Sequence, residues 1–385
     1  MQAKLANSLS MAGLMRLKIG VFCPTLNIFG GAEFVAVVIA NTLAENNHDV
    51  VLFANSDIYS QEVKNYCGVF LHPSIQTIKQ PTNFSSRGLA DFYQTLFHSY
   101  IAKSRCDIFI DPFTNCIFPW TSICYIHFPF LNRYSFSKRF PYLSSPHLLP
   151  IGAIPHVLIE KNLATYENKL VLANSRYTAE EVKLYSQKRV GVLYPPFSSS
   201  ISAIGKEAKK DLEENLVVTT SRFDNDKLLE RIPHIASQTR SSTQFAIIGR
   251  LCSKKTLISL EKIVKKLGLT ERVKFFPDAS NEVKIDLLRR AKVYLHTMMG
   301  EHFGISIVEA MALGCLPIVH NSGGMREFVP DSYRYETIQE AVIRIDSALS
   351  SWTPDKSEEM KQIAGNFSMS NFAANFMSFF KEYFE

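Results

Sequence analysis

The chain has 385 residues, of which 46% are hydrophobic and 20% charged, and it carries a net charge of +6. This composition excludes a disordered or fibrous chain, and the length suffices for two domains of ordinary size. The seven cysteines are scattered, without a C-x-x-C pair or a His/Cys cluster at metal-ligand spacing. A reduced, cytosolic setting is therefore expected.

The N-terminal region predicts a βαβ unit. RLKIGVF (16–22) is predicted to be a strand, PTLNIFGGAE (24–33) a turn containing Gly30 and Gly31, Phe34–Glu45 a helix, and HDVVLFA (48–54) a second strand. Such short connections imply a parallel sheet. The paired glycines lack the G-x-G-x-x-G spacing of a dinucleotide fingerprint, so a dehydrogenase is disfavoured and tight packing remains an alternative. Glu33 is interpreted as an acid of the first helical turn. Because the first strand begins only at about residue 16, Met11 or Met15 is an alternative initiator.

Four further apolar runs predict strands in this half, with a helix over Tyr177–Ser186 between the last two: 106–111, 122–128, 169–174 and 190–195. Polar residues lie at the ends of two of these runs. His127 is near the end of the second run, Asn174 ends the third, and Ser175 follows directly. These are either satisfied core and turn residues or ligand-binding residues. Pro195 and Pro196 end the half, because two prolines do not fit a central strand.

The C-terminal half begins with a polar stretch, 198–215, interpreted as a linker. Strands are predicted at 216–223, 244–250, 272–278 and 292–295. The last segment, Asn371–Glu385, predicts a helix with one aromatic face: Phe372, Phe376, Phe379, Phe380 and Tyr383. This helix must pack against something, either the second half or the first. The predicted division is 1–197, 198–365 and a C-terminal helix at 366–385.

The most informative segment follows the strand at 292–295 and contains Glu301 and Glu309, eight residues apart. This spacing is a little over two helical turns, so both carboxylates are expected near one face. Gly304 permits a tight turn or a close approach of a ligand, and ISIVEAMAL after it predicts a buried helix. A helix N-terminus favours phosphate, while carboxylates suit hydroxyls, so the segment predicts a nucleotide-sugar site. Glu309 interrupts an apolar run, where an unpaired carboxylate would be costly.

Charged residues also follow the strand at 216–223. Arg222 and Lys227 lie five residues apart, and Asp224 and Asp226 between them match the D-x-D pattern of metal-dependent glycosyltransferases. We interpret this pair as support for a turn. The sequence therefore predicts neither a metal nor another cofactor.

Taken together, these motifs resemble one known family. EHFG, VEAM and HNSGG, with YIHFP (125–129), ANSRYT (173–178) and LYPPF (193–197), resemble retaining GT-B glycosyltransferases of family 4. Within it they are most similar to the α-1,2-mannosyltransferases that extend lipid-linked oligosaccharides. The resemblance implies an α/β fold of two Rossmann-like domains facing across a cleft. The first would bind the acceptor and the second the donor.

The resemblance also implies roles for individual residues. Glu301 would contact the donor sugar and Glu309 the ribose, while backbone N–H groups near Phe303, Gly304 and Ile305 would meet the diphosphate. Arg222 and Lys227 would hold the phosphates, although the family usually has glycine where Leu228 follows the lysine. The remaining implied contacts are Gly30 and Gly31 near the donor, His127 at the transferred sugar, and Asn174, Ser175 and Arg176 on the acceptor side. His127, Glu301, Arg222 and Lys227 form the catalytic set.

The predicted function is retaining transfer of a hexose, mannose from GDP-mannose foremost, to a lipid-linked saccharide. The alternatives are a transferase using a UDP-sugar, a non-catalytic binding relative, and an epimerase or phosphorylase of similar shape. Residues 128–159, with Arg133, Lys138 and Arg139, lie in a stretch without acids and rich in aromatics. They form either a surface for anionic lipid or a solvated basic loop. No membrane span, signal peptide or nucleic-acid partner is predicted, and the protein is expected at the cytoplasmic membrane face.

Overall fold

The computed structural model describes residues 17–26, 30–54, 60–79, 89–129, 169–186, 190–205 and 213–383. The chain divides into two compact units: residues 1–195 together with 369–385, and residues 196–368. The basic segment predicted at 128–159 lies, apart from its first two residues, outside the described residues.

The first unit is built on a seven-stranded sheet, in which all paired strands are parallel and the order is β3-β2-β1-β4-β5-β6-β7. Its strands are β1 (Lys18–Phe22), β2 (Asp49–Ala54), β3 (Gln76–Lys79), β4 (Ile108–Asp111), β5 (Ile123–Ile126), β6 (Leu170–Ala173) and β7 (Gly191–Val192). Its helices are α1 (Gly31–Glu45), α2 (Ser60–Cys67), α3 (Leu89–Lys103), α4 (Arg176–Ser186) and, from the far end of the chain, Met369–Glu382. The predicted βαβ start is present, with its helix beginning three residues earlier than predicted.

The C-terminal helix, Met369–Glu382, belongs to the core of the first unit. Phe372, Phe376 and Phe380 are buried in one apolar cluster with β1, β2 and helix α1. The rings of Phe372 and Phe376 stack at 6.3 Å, and that of Phe380 lies 5.3 Å from His48. The aromatic face inferred from the sequence is therefore matched by the apolar helix α1, whose residues 33–44 are all buried.

The second unit contains a six-stranded parallel sheet of order β10-β9-β8-β11-β12-β13. Its strands are β8 (Glu213–Thr220), β9 (Gln244–Gly249), β10 (Val273–Pro277), β11 (Ala291–His296), β12 (Leu316–His320) and β13 (Arg334–Tyr335). Its helices are α5 (Ser199–Gly205), α6 (Arg231–Ala236), α7 (Lys254–Lys266), α8 (Asn281–Arg290), α9 (Ile305–Ala312), α10 (Ile338–Ser351) and α11 (Pro354–Gly365). The C-terminal helix Met369–Glu382 is α12.

The predicted linker at 198–215 is wrong at both of its ends. Ser199–Gly205 forms helix α5, whose Ile201 is fully buried, and β8 begins at Glu213. The serines there suggested a loop, but the apolar residues between them are used for packing. None of the helices in the described ranges has the length and apolarity needed to cross a membrane.

Candidate active site

In both sheets the chain builds outward from one strand and then returns to its other side. In the second unit this reversal lies between β8 and β11, which pair directly. Ligands of open parallel sheets bind beyond the carboxyl ends of the strands at such a point. The loops that follow β8 and β11 carry Lys227 and Glu301, so the predicted donor-site residues of this unit gather at that edge.

Glu301 lies in the loop between β11 and helix α9, before the helix begins. The predicted helix after Gly304 is present: Gly304 adopts a left-handed conformation (φ +94°) and caps a helix that starts at Ile305. Glu301 therefore does not share an element with Glu309, and the expectation that one element carries both carboxylates is wrong. The loop is held by its neighbours: Gly324 N donates to Glu301 O at 2.9 Å, and Gly300 N donates to Ser322 Oγ at 2.8 Å.

Basic groups surround the carboxylate of Glu301. Lys227 Nζ lies 3.3 Å from Oε2, and His296 Nε2 lies 3.4 Å from the same oxygen. Burial alone raises the pKa of Glu301, but Lys227 and His296 outweigh it and hold this pKa well below its usual range. Glu301 is therefore a permanent carboxylate near neutral pH, able to accept hydrogen bonds from hydroxyl groups.

Lys227 is itself firmly placed. Its side chain is only 16% exposed, Nζ also contacts Met298 Sδ at 3.0 Å, and its carbonyl accepts from Thr297 Oγ1 at 3.1 Å. The next residue, Leu228, has a left-handed backbone (φ +51°). That conformation explains physically why glycine suits this position, since glycine adopts it without strain.

Glu309 is the one charged residue of helix α9 (Ile305–Ala312). Its Oε2 accepts from Lys284 Nζ at 3.1 Å, and the two side chains are 14% and 19% exposed. Lys284 comes from helix α8, so the carboxylate that interrupts the apolar run has the partner that its burial requires.

The N-terminus of helix α9 lies between the two acids. Its first N–H groups have no partner within the helix, which gives this end a partial positive charge. Phe303 is buried and packs against Phe328 and Phe367 at 5.1 and 5.3 Å, so its side chain serves the core and only its backbone is available at the site. Tyr294 Oη donates to Thr220 O at 3.1 Å and lies 2.9 Å from Ser306 Oγ, whose hydroxyl can donate to it, so this helix end is tied to the central strand.

Gly323 supports Glu301 from the loop after β12. Its φ is +73°, and a Cβ there would overlap the carbonyl oxygen of Glu301 and lie 2.9 Å from its backbone nitrogen. Only glycine permits this approach, so the HNSGG motif is a backbone platform for Glu301.

Arg222 is more exposed than Lys227 and pairs with Asp226 at 3.5 Å. Asp224 accepts from Asn225 N at 2.9 Å and caps a short 3₁₀ turn. Both acids of the D-x-D pattern thus have turn-supporting contacts. Within the described residues no group of three or more His, Cys, Asp or Glu side chains is arranged to hold a metal ion.

In the first unit, His127 and Asn174 are brought together at the carboxyl ends of β5 and β6. Asn174 Nδ2 donates to His127 O at 2.8 Å, while His127 Nε2 lies 2.8 Å from Pro112 O. Because a carbonyl only accepts, Nε2 carries a proton there. Ser175 caps helix α4 by accepting from Thr178 N at 3.0 Å, and Arg176 is the exposed first residue of that helix.

The loop after β4 supports His127. Asn115 Oδ1 accepts from the backbone N of His127 at 2.6 Å and of Phe128 at 3.1 Å. Asp111 begins this loop, fully buried, and accepts from Phe113 N and Thr114 N at 3.1 and 2.9 Å. Burial raises the pKa of Asp111 to about 6, although these hydrogen bonds oppose the shift.

Gly30 and Gly31 stand at the start of helix α1. Gly30 N donates to Glu33 Oε2 at 2.9 Å, and Thr25 Oγ1 donates to Oε1 at the same distance. Glu33 is buried in the first helical turn, where it closes the glycine turn.

Three site residues were missed by the sequence interpretation: Lys284, His296 and His302. His296 follows an apolar strand directly, the position that drew attention to His127, so the signal was present. His302 adjoins Glu301, and its pKa is lowered by burial. Lys284 lies in a helix with several charged residues, and nothing local distinguishes it.

Two compact units, each built on a parallel sheet whose strand order reverses at its centre, define the GT-B fold class. A solved glycosyltransferase from Rickettsia africae superposes with a TM-score of 0.68, covering 96% of this chain and 99% of its own at 15% identity. The match confirms the predicted GT-B fold.

Residues 200–366 match the family model "Glycosyl transferases group 1", and this part of the chain is a group 1 glycosyltransferase domain. The chain is similar to "GDP-Man:Man(3)GlcNAc(2)-PP-Dol alpha-1,2-mannosyltransferase" of Dictyostelium discoideum: 26% identity, 76% of this chain and 64% of the relative. It is also similar to the protein of that name from Xenopus tropicalis: 26% identity, 95% of this chain and 87% of the relative. The family resemblance predicted from the motifs is confirmed. The chain spans just under two thirds of the Dictyostelium protein's length.

Proposed function

We propose that the protein is a retaining glycosyltransferase that moves a hexose, mannose from GDP-mannose foremost, to a lipid-linked saccharide without a metal ion. The names of the two relatives support this donor and this acceptor class, and the group 1 domain supports the reaction type.

One observation carries the proposal: Lys227 and Glu301 meet at 3.3 Å beside the N-terminus of helix α9. Breaking a glycosyl–phosphate bond leaves a nucleoside diphosphate with additional negative charge, which fixed cations and helix N–H groups stabilise. Glu301, ionised at neutral pH, would accept from the hydroxyls of the sugar. The same site thus offers a cation for the departing diphosphate and a carboxylate for the hydroxyls of the transferred sugar.

In the proposed reaction, the acceptor hydroxyl attacks C1 of the donor sugar from the face that the diphosphate leaves. The C1–O bond breaks with its electron pair passing to the β-phosphate oxygen, and the hydroxyl proton goes to that phosphate. Lys227 and Arg222 would neutralise the departing diphosphate, for which Arg222 would exchange its exposed contact with Asp226. Glu309 would hold the ribose.

The acceptor is assigned to the first unit. His127 would reach the transferred sugar, with its position fixed by Pro112 and Asn174. Arg176, exposed at the start of α4, would meet the acceptor diphosphate. Asn174 and Ser175 would act by holding this edge, since their side chains bond to His127 O and Thr178 N. Gly30 and Gly31 are proposed to approach the donor through their backbone.

The direct test is an assay with purified full-length protein. GDP-mannose is supplied first alone and then with polyprenyl-diphosphate-linked saccharides, and the product anomer is assigned by NMR. We expect transfer only with the acceptor, and an α-linked product. Conversion of the donor alone would indicate an epimerase, and dependence on free phosphate a phosphorylase. Binding without conversion would indicate a non-catalytic relative. A thermal-shift screen with GDP-, UDP- and ADP-sugars identifies the donor base.

We further propose that the protein acts at the cytoplasmic membrane face through residues 128–159. Neutralising Arg133, Lys138 and Arg139 together should weaken binding to anionic vesicles while thermal stability is unchanged. Equal vesicle binding by the triple variant would contradict this surface.

A further inference from the structure

Lys284 occupies a position that its own helix does not favour. It lies near the N-terminal end of helix α8, whose Arg289 and Arg290 are in the last turn. Cations are stabilised near helix C-termini and destabilised near N-termini. The favourable contact of Lys284 lies outside the helix, with Glu309 of helix α9 at 3.1 Å.

This contact fixes one oxygen of Glu309. Oε2 accepts from Lys284, whereas Oε1 accepts no hydrogen bond from the residues that the structure describes. The neighbours of Glu309 along helix α9, Val308 and Ala310, are buried and apolar. Within the described part of the chain, Lys284 is therefore the polar group that sets the direction of this carboxylate.

We infer that Lys284 is a positioning residue, which orients Glu309 so that Oε1 accepts from a ribose hydroxyl of the nucleoside diphosphate. The inference rests on the proposed function, in which Glu309 meets the ribose. It assigns the recognition of ribose to a pair of residues on two helices. A partly buried, charge-assisted hydrogen bond has the strength and direction needed to hold a carboxylate in one rotamer.

The alternative is that Lys284 only neutralises a buried charge. In that case its removal would lower the melting temperature without changing how the protein distinguishes nucleotides. A ligand that lacks the hydroxyl separates the two roles, because orientation of Glu309 matters only when the hydroxyl is present.

The experiment measures the affinity of the full-length protein for GDP and for 2′-deoxy-GDP and 3′-deoxy-GDP by calorimetry. The variants are Lys284→Met, Lys284→Arg and, as a matched control, Lys274→Met. Lys274 also forms an ion pair, with Glu271 at 3.4 Å, but both side chains of this pair are exposed on the surface. We expect Lys284→Met to bind GDP about tenfold more weakly than the wild type does. The ratio of its affinities for GDP and for the deoxy analogue that lacks the contacted hydroxyl should fall by the same factor. Lys284→Arg should retain most of the preference, and Lys274→Met all of it.

If Lys284→Met prefers GDP over the deoxy analogues as strongly as the wild type does, the inference is overturned and the proposed function still stands. Wild-type protein that binds GDP, UDP and ADP not at all would overturn both. If Lys284→Met does not fold, Lys284→Gln, which keeps a donor without the charge, carries the same test and should show a smaller loss of preference. In a Glu309→Gln background the substitution at Lys284 should have no further effect on GDP affinity, since the group that it orients is altered.

Discussion

Gly323 offers the sharpest test of how Glu301 is held. Gly323→Ala places a methyl group against the backbone of Glu301, where a Cβ would overlap the carbonyl oxygen and lie 2.9 Å from the nitrogen. Because the obstructing atoms are backbone, the loop that carries Glu301 must shift to accept the substitution.

The magnitude follows from two contributions. An L-residue in the left-handed region costs about 1–2 kcal/mol, which for a domain of this size lowers the melting temperature by about 2–8 °C. The displacement of Glu301 adds a loss of activity, and a shift of about 1 Å at a reacting group costs on the order of 100-fold in turnover.

Gly268→Ala isolates the first contribution. Gly268 has a similar φ of +67°, and a Cβ there would meet nothing within 4 Å. Melting temperature and kcat are measured for both variants. We expect Gly268→Ala to lose stability alone and Gly323→Ala to lose turnover as well. Equal kcat in the two variants would refute the idea that Gly323 positions Glu301.

Four further outcomes are expected. Glu309→Gln should raise the KM for the donor about tenfold, whereas Glu301→Gln should lower kcat by about 100-fold with a smaller change in KM. Steady-state kinetics in which neither substitution changes kcat or KM would show that these residues do not form the donor site. The pKa of Asp111 is raised from 3.8 to about 6 in the folded state, so between these pH values the folded protein holds a proton that the unfolded chain has lost. The unfolding free energy of the wild type, relative to that of Asp111→Asn, should therefore fall by up to about 3 kcal/mol as pH rises from about 4 to 6, and then level off. A difference in unfolding free energy that does not change with pH contradicts this. Phe376→Ala should cost about 3–5 kcal/mol because the ring is fully buried in the core of the first unit, and a denaturation midpoint equal to that of the wild type would show that helix α12 does not pack there. Dialysis against EDTA should leave transferase activity unchanged, and an activity loss that Mg²⁺ or Mn²⁺ restores would revive the metal-binding interpretation of Asp224 and Asp226.

The parallel sheets could be predicted because their signal is local. Runs such as KIGVF and VVLFA are apolar and rich in β-branched residues, and the helix predicted between them is the crossover that parallel neighbours require. Glu309 was identified for a similar reason, since a carboxylate within ISIVEAMA must have a partner or a purpose.

The partners themselves could not be predicted. Lys284 and Glu309 are 25 residues apart on different helices, and only the folded structure brings their side chains to 3.1 Å. The turn at Gly304 and the helix after it were predicted, but the expectation that Glu301 shares one element with Glu309 failed, because that helix starts after Glu301. The serine-rich stretch at 198–205 looked polar, yet it forms a short helix in which Ile201 and Gly205 are buried.

The return of helix α12 to the first unit makes the second unit an insertion in the chain. Residues 196–368 are contiguous, so the whole sequence of this unit is synthesised before helix α12. The first unit must wait for Phe372, Phe376 and Phe380, which are synthesised after the whole of the second unit. The first unit should therefore complete its core after the second, and premature termination near residue 365 should damage the first unit more than the unit in which the stop falls.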